Sequence, residues 1–285
     1  MEKHKTYIGD AKEVLNLISP KLVDLVITGP PYWNEVVYSN QAGQLSKIDN
    51  YSLFLSEIAR IWHGCSKSLK PGGILAFWIH DLYRKNEEGL TYIPLHADLI
   101  KALPPDIRLR QISIWDRYLS RVRNYFPEKE GIKYQYIIIC QKDGEHSSNQ
   151  DLISQSLLKE FWKPIWYYKT TPKLLGSRLL FKVIFKIISP ISDKLKKIKD
   201  KGQSLLKDNY HFDEYKTICP PEIAERLIKR FSQSGDIVLD PFLGSGTTMK
   251  VADKLGRMCV GIEINPEVIS IVQKKIGKDR VEIIF

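Results

Sequence analysis

The sequence predicts an α/β domain with a mostly parallel, doubly wound sheet. Strand-like runs such as Asp24–Thr28 and Ile74–Ile79 alternate with segments whose apolar residues recur at helical spacing, such as 51–62. The alternation resumes at Pro221, which is placed as a helix-starting proline, and continues through the strand Asp236–Asp240. With 285 residues, the chain is long enough for one large domain with an insertion or for two small domains.

Proline and glycine residues mark some of the boundaries of the expected elements. In the first half we expect strand Asp24–Thr28, a helix from Tyr51 that Pro71-Gly72-Gly73 ends, strand Ile74–Ile79, helix Leu95–Leu103, and strands Leu109–Trp115 and Tyr134–Cys140. In the last third we expect a helix from Pro221 to Gly235, strand Asp236–Asp240, helix Thr247–Leu255, strand Met258–Ile262 and helix Pro266–Lys275.

The middle of the chain carries most of the excess positive charge. The net charge is +10, and twelve basic residues but only three acidic ones lie between Lys159 and Lys201. Residues 141–216 also lack the α/β alternation, so we expect an insertion there between two halves, 1–140 and 217–285. Contact with nucleic-acid phosphates is the favoured interpretation, and a solvated basic face is the alternative. The candidate DNA-binding residues are Lys163, Lys169, Lys173, Arg178, Lys194, Lys196 and Lys197.

Several classes of protein are disfavoured by composition. The four cysteines are scattered without a C-x-x-C pair and the six histidines are dispersed, so we expect reduced thiols and no metal site. The first ten residues are polar and do not form a signal peptide. Leu179–Ile188 is the most apolar stretch but is too short to span a bilayer. We therefore expect a cytoplasmic protein that is not embedded in a membrane.

A glycine loop near the C-terminus indicates a cofactor site. Asp240 ends a strand, and Gly244 and Gly246 precede a helix, so backbone N–H groups can approach an anionic group closely. The loop lacks the lysine of a P-loop, which disfavours ATP. Glu263 ends the next strand, where an acid can bind ribose hydroxyls. Ribose and carboxylate together suggest S-adenosyl-L-methionine, with a purely structural turn as the alternative.

A second loop, T-G-P-P-Y-W at 28–33, indicates the chemistry. Pro30 and Pro31 fix two φ angles and remove two donors, which leaves rigid carbonyl acceptors for an exocyclic amine. Acceptors on both N–H bonds favour a pyramidal nitrogen that can attack a methyl group in line. Tyr32 is expected to stack on a flipped-out base. The candidate catalytic residues are Thr28, Gly29, Pro30, Pro31 and Tyr32; a proline-stiffened loop is the alternative.

The two loops resemble one family. D-P-F-L-G-S-G-T-T at 240–248 and G-I-E-I-N-P from Gly261 closely resemble the S-adenosylmethionine-binding motifs of the DNA amino-methyltransferases. T-G-P-P-Y-W is similar to the T-S-P-P-Y-W of N4-cytosine enzymes, whereas N6-adenine enzymes more often carry Asp or Asn before the prolines. Gly29 is the departure, because the family usually supplies a side-chain oxygen there. Thr28, a water or the Gly29 carbonyl is the candidate substitute.

The resemblance implies a Rossmann-like methyltransferase fold of the circularly permuted β group, with 141–216 as the target-recognition region. It implies double-stranded DNA as partner and leaves open a cognate restriction endonuclease acting separately. N6-adenine methylation and a catalytically impaired DNA-binding homologue are the alternatives to N4-cytosine methylation. The implied cofactor-binding residues are Asp10, Cys219, Pro220, Asp240, Phe242, Gly244, Ser245, Gly246, Thr247, Thr248, Glu263, Ile264 and Asn265.

Overall fold

A nine-stranded sheet organises the residues that this computed structural model describes, namely 3–36, 39, 41–86, 89–116, 134–145, 165–167 and 221–285. The strands are β1 His4–Ile8, β2 Val23–Thr28, β3 Leu69–Ile79, β4 Leu82–Asn86, β5 Gly89–Ile93, β6 Ile107–Asp116, β7 Tyr134–Lys142, β8 Ile165–Tyr167, β9 Ile237–Asp240, β10 Met258–Glu263 and β11 Val281–Ile284. The helices are α1 Ala11–Val14, α2 Tyr51–Ser68, α3 Leu95–Lys101, α4 Pro221–Phe231, α5 Thr247–Lys254 and α6 Ile269–Ile276.

The strand order is β11-β1-β10-β9-β2-β3-β7-β6-β8, and β4 and β5 form a separate two-stranded sheet. The six strands from β11 to β3 run parallel to one another, β7 is antiparallel to both neighbours, and β8 is parallel to β6. The mostly parallel sheet that the sequence predicts is therefore confirmed. Strand β8 lies within the range 141–216 and pairs with β6.

Helices cover both faces of the sheet. The first hydrophobic core packs α1, α2 and α3 against sheet residues such as Val26 and Phe77. The second packs α4, α5 and α6 against residues of the opposite face, such as Leu25 and Ile27. Neighbouring residues of β2 therefore belong to different cores, as the two-residue repeat of a strand requires. This burial on both faces explains why four of the six residues of β2, Val23 and Leu25 to Ile27, are apolar.

Some element boundaries differ from the prediction. Helix α2 ends at Ser68, and Pro71-Gly72-Gly73 lies within β3 instead of ending the helix. Gly72 has a φ of 74°, and the pairing of β2 with β3 shifts register between Val23 and Leu25, so these residues make a strand irregularity. Strands β1 and β11 and the β4–β5 pair have no counterpart in the predicted elements.

The described residues contain no helix that could cross a membrane and no group of three or more His, Cys, Asp or Glu side chains that could hold a metal ion. Cys65, Cys140 and Cys259 are buried free thiols.

Candidate active site

The candidate site lies at the carboxyl ends of β9 and β2, which are neighbours at the centre of the sheet. From β9 the chain passes through α5 to β10 on one side, and from β2 it passes through α2 to β3 on the other. The sheet therefore has a topological switch point between β9 and β2. Ligands of open α/β sheets bind in the crevice outside such a point. Both predicted loops leave the sheet here.

The glycine loop has the conformation that its sequence predicts. Gly244 and Gly246 have φ angles of 50° and 78°, and Gly246 caps α5. A Cβ built on Gly246 would lie 3.2 Å from Val272, so the loop packs closely against α6. A Cβ built on Gly244 would meet only the Phe242 carbonyl oxygen, at 4.0 Å, so open space adjoins the loop there. This space and the backbone around it fit a ligand that approaches the main chain.

Glu263 fastens the glycine loop to the end of β10. Its two carboxylate oxygens accept hydrogen bonds from the amides of Gly244, at 2.8 Å, and Asn265, at 2.9 Å. Burial raises the pKa of Glu263 above its usual range, although these backbone donors act in the opposite direction. With the Ile264 amide, three backbone donors occupy three of the about four lone-pair positions of the carboxylate, so the expected contact with a ribose hydroxyl is compatible with this arrangement.

Asp240 joins the two predicted loops. Its Oδ1 accepts hydrogen bonds from the Thr28 hydroxyl, at 2.7 Å, and from the Phe242 amide, at 3.1 Å. The Thr248 hydroxyl bonds the same carboxylate from α5. The carboxylate is almost fully buried, and this burial raises the pKa of Asp240 to about 6 despite the three donors. One acidic group thus links the proline loop, the glycine loop and the first turn of α5.

Stability is expected to fall as the pH rises through the pKa of Asp240. The pKa of the folded state lies above the ordinary value of 3.8, so the folded state binds this proton more tightly than the unfolded state. The stabilising contribution is complete below pH 3.8 and is lost by about pH 6, and the two-unit interval corresponds to about 3 kcal/mol. This contribution is measured by urea unfolding of the wild type and of Asp240→Asn at pH 4 and pH 6.5. If the free energy of unfolding changes with pH in the same way in both proteins, the raised pKa of Asp240 is contradicted.

The proline loop begins where β2 ends. Thr28 is fully buried, and its hydroxyl donates to Asp240, so it serves the link between the strands instead of facing the crevice. Pro30, Pro31 and Tyr32 are also buried. Trp33 has a φ of 40°, which is unusual for a bulky residue and costs of order 1–3 kcal/mol. The Trp33 indole donates to the Ile48 carbonyl at 2.7 Å, which helps to hold this conformation.

Trp78 explains the glycine at position 29. A Cβ built on Gly29 would lie only 2.6 Å from the Trp78 Nε1 and 2.7 Å from its Cε2. Trp78 lies in β3 and is 5% exposed, so its ring cannot easily move away. The indole ring therefore occupies the space that a side chain at position 29 would need. Sequence reasoning missed this residue because Trp78 belongs to an ordinary buried strand.

Tyr32 is packed inside the protein in this structure. Its ring is 2% exposed and stacks on His80, with centroids 4.1 Å apart and an interplanar angle of 24°. Its hydroxyl accepts a hydrogen bond from Gln135 Nε2 at 2.7 Å. The His80 Nδ1 lies 2.9 Å from the Asp81 carbonyl oxygen, which fixes the ring that Tyr32 stacks on. A base can stack on Tyr32 only after a side-chain movement.

The remaining predicted residues divide into two groups. Asp10 follows β1, which pairs with β10, and the Gly9 amide donates to the Glu263 carbonyl at 2.9 Å. Asp10 thus lies beside the turn formed by Glu263, Ile264 and Asn265. Outside the described residues lie Cys219, Pro220, Lys163, Lys169, Lys173, Arg178, Lys194, Lys196 and Lys197.

Lys275 contacts the glycine loop although it belongs to no recognisable motif. Its ammonium group donates to the Ser245 hydroxyl at 2.7 Å from helix α6. Burial, and to a smaller extent the nearby Lys250, lowers the pKa of Lys275. The contact supports the loop from the side of α6. Only the helical spacing of 269–276 could have placed this lysine near the loop.

Solved structures identify the fold. The chain is similar over 99% of its length to 98% of TTHA0409 of Thermus thermophilus in complex with S-adenosyl-L-methionine, with a TM-score of 0.67 and 24% identity. PvuII DNA methyltransferase (cytosine-N4-specific) matches 96% of the chain over 87% of its own length, with a TM-score of 0.64 and 18% identity. The fold is thus the Rossmann-like fold of the S-adenosylmethionine-dependent DNA methyltransferases.

Sequence comparison identifies the family. The family model described as DNA methylase, which covers N6 and N4 methyltransferases, matches residues 23–274. The Type II methyltransferase M2.LlaDCHI of Lactococcus lactis subsp. cremoris is 38% identical over 285 residues, which span 95% of this chain and 88% of that protein. The chain belongs to this DNA methylase family. The predicted fold class and the predicted cofactor, S-adenosyl-L-methionine, are confirmed.

Proposed function

We propose that the chain transfers a methyl group from S-adenosylmethionine to the exocyclic N4 amine of a flipped-out cytosine at specific sites in duplex DNA. The observation that carries the proposal is the hydrogen bond from Thr28 to Asp240, which joins the proline loop to the glycine loop across the switch point. Two loops fixed to one carboxylate can hold an amine and a cofactor in a constant relative position. Cytosine is favoured because T-G-P-P-Y-W is similar to the loop of N4-cytosine enzymes.

The residues present fit the cofactor. S-adenosylmethionine supplies an electrophilic methyl group. Glu263 offers a lone pair to a ribose hydroxyl, and the open space beside Gly244 admits a ligand to the main chain. Asp240 holds the Phe242 amide and Thr248, which fixes both ends of the loop. We therefore assign the cofactor to the crevice between 240–248 and 263–265.

The proline loop acts on the target amine. Pro30 and Pro31 carry no N–H, so the carbonyl groups around them have few competing donors. Carbonyl oxygens that accept the amine hydrogens favour a nitrogen lone pair directed at the methyl group, and orientation supplies much of the acceleration. The leaving proton passes to solvent after transfer. The amine is accessible only when the nucleotide leaves the helix, which requires base flipping.

The direct test uses duplex DNA of mixed sequence and radiolabelled S-adenosylmethionine, followed by digestion to nucleosides. We expect label in N4-methylcytosine. Label only in N6-methyladenine would support the second candidate function, which the family also covers. Specific DNA binding without any label at saturating cofactor would contradict both and indicate an impaired homologue.

We also propose that 141–216 recognises the DNA target and that the family relationship extends to the permuted β group. Neutralising Lys194, Lys196 and Lys197 is expected to flatten the salt dependence of DNA binding, because each lost phosphate contact lowers the slope by about one unit. The measurement is the affinity for a fixed duplex at several salt concentrations. A matched control neutralises three exposed lysines elsewhere, Lys250, Lys274 and Lys278. If the salt dependence of DNA binding has the same slope in both triple variants, the basic segment is a solvated surface that does not contact phosphates.

A further inference from the structure

Because position 29 is a glycine, the proline loop lacks a side-chain hydrogen-bond acceptor at that position. The Trp78 ring fills the space beside Gly29 and presents its Nε1, which is a donor and cannot accept an amine hydrogen. Thr28 is fully buried and donates to Asp240. Neither position 28 nor position 29 therefore supplies a side-chain acceptor to the target amine, and a side chain from another strand of the sheet could take this role.

Gln135 of β7 lies next to the proline loop. Its Nε2 donates to the Tyr32 hydroxyl at 2.7 Å. In the sheet register, Gln135 pairs with Trp115 of β6, and Trp78 of β3 pairs with Ile137 two residues further along β7. Residues two apart on a strand share a face, so Gln135 lies on the same sheet face as Trp78 and in diagonal reach of it.

The side chain of Gln135 has an unused acceptor. The residue is 1% exposed, and its Oε1 is buried without a hydrogen-bond partner among the residues that the structure describes. The amide geometry places this oxygen within about 5 Å of the Tyr32 hydroxyl. A buried carbonyl oxygen without a partner is costly, and most such groups in native proteins are paired. A ligand donor would remove this cost.

We propose that Gln135 Oε1 accepts a hydrogen bond from the exocyclic amine of the target base, in place of the side chain that the loop lacks at Gly29. The proposal rests on the proposed function. The second amine hydrogen is left for the backbone carbonyl of Gly29. Because Oε1 is buried in the structure, a base can reach it only after a side-chain movement, and the new hydrogen bond offsets part of the cost of that movement.

The proposed contact makes Gln135 a specificity-determining residue. Cytosine and adenine present an amino group at the position where uracil and hypoxanthine present a carbonyl oxygen. An acceptor on the protein attracts the first pair and repels the second. If Gln135 only held Tyr32 in place, its loss would slow turnover without changing this preference.

The test measures binding instead of turnover. Methylation sites are first mapped by sequencing modified DNA. Duplexes are then made with either the target base or its oxo counterpart, uracil for cytosine or hypoxanthine for adenine, each opposite an abasic site so that both bases start unpaired. Binding is measured with S-adenosylhomocysteine present. We expect the wild type to prefer the amino base by about tenfold, in line with one hydrogen bond to a buried acceptor. Gln135→Met should lower the preference to below about twofold.

Two further variants keep the test decisive. Gln141→Met is the matched control, because Gln141 lies on the same strand and face but bonds the Gly72 carbonyl at 3.1 Å; it should keep the wild-type preference. Gln135→Glu retains an acceptor and should keep most of the preference for the amino base. This variant provides a test even if Gln135→Met fails to fold. Unchanged preference in folded Gln135→Met, or lost preference in folded Gln135→Glu, overturns the inference. Absence of methylation at any DNA site would instead overturn the proposed function.

Discussion

Replacing Asp240 with alanine is expected to lower the affinity for S-adenosylmethionine by about 100-fold. The carboxylate fixes the Phe242 amide, the Thr28 hydroxyl and the Thr248 hydroxyl. Three hydrogen bonds at about 1 kcal/mol each correspond to about 3 kcal/mol of loop organisation, which is about two powers of ten in a dissociation constant. Isothermal titration with the cofactor measures the change.

The same substitution is expected to change the free energy of unfolding by less than about 1 kcal/mol at pH 7. Losing three hydrogen bonds destabilises the fold, but removing a carboxylate whose pKa burial raises to about 6 offsets a similar amount. On this expectation Asp240 contributes to the organisation of the site and little to overall stability.

Asp24 provides the matched control for Asp240, since it links the same two strands at their opposite ends. Its Oδ2 accepts the Ile237 amide at 2.9 Å, and its Oδ1 accepts the Lys70 ammonium at 2.6 Å. Asp24→Ala should cost about 1–2 kcal/mol of stability and leave cofactor affinity unchanged. Equal loss of cofactor affinity in both variants would show that Asp240 acts only by holding the strands together.

Introducing the family's serine at position 29 is expected to damage the enzyme instead of improving it. The new Cβ would lie 2.6 Å from Trp78 Nε1, and overpacking of this kind costs about 1–3 kcal/mol. Turnover should fall as well, because the displaced loop carries the carbonyl groups that we propose as acceptors for the target amine. Urea unfolding and methyl transfer on the mapped site measure the two effects.

Companion variants separate steric from chemical causes at position 29. Gly29→Ala should be as destabilising as Gly29→Ser, because the clash arises from the Cβ and not from the hydroxyl. Combining Gly29→Ser with Trp78→Leu should destabilise less than the sum of the single changes, since the smaller side chain makes room. A Gly29→Ser variant with wild-type stability and higher activity would contradict this prediction, because it would show that the Trp78 side chain can move aside at little cost.

The sequence revealed the parts of the site that are encoded locally. The two loops could be placed because a glycine or proline at a strand end fixes backbone geometry within a few residues. Trp78 and Gln135 could not be assigned to the site, because their positions next to the proline loop depend on the pairing of β3, β7 and β6, which joins distant segments. Lys275 was missed for the same reason, since it reaches Ser245 across the packing of α6.

The same distinction applies to the fold. The buried strands β2, β3, β7 and β9 stood out as apolar runs between turn signals. Strands β1 and β11 are partly exposed and lie at or near the sheet edge, so their apolar pattern is weak. Pro71-Gly72-Gly73 was assigned to a helix end because proline and glycine usually interrupt elements; β3 accommodates them as an irregularity.

The position of β1 has a consequence for the order in which the protein can fold. His4–Ile8 lies between β10 and β11, so its partners are among the final residues of the chain. His4 also contacts Asp253 and accepts the Cys259 amide at 3.0 Å. During synthesis β1 must wait for β10 and β11, which lie about 250 residues later, and such long sequence separations slow folding. The sheet edge that contains β1 can form only after β10 and β11 have been synthesised, whereas β2, α2 and β3 can assemble earlier.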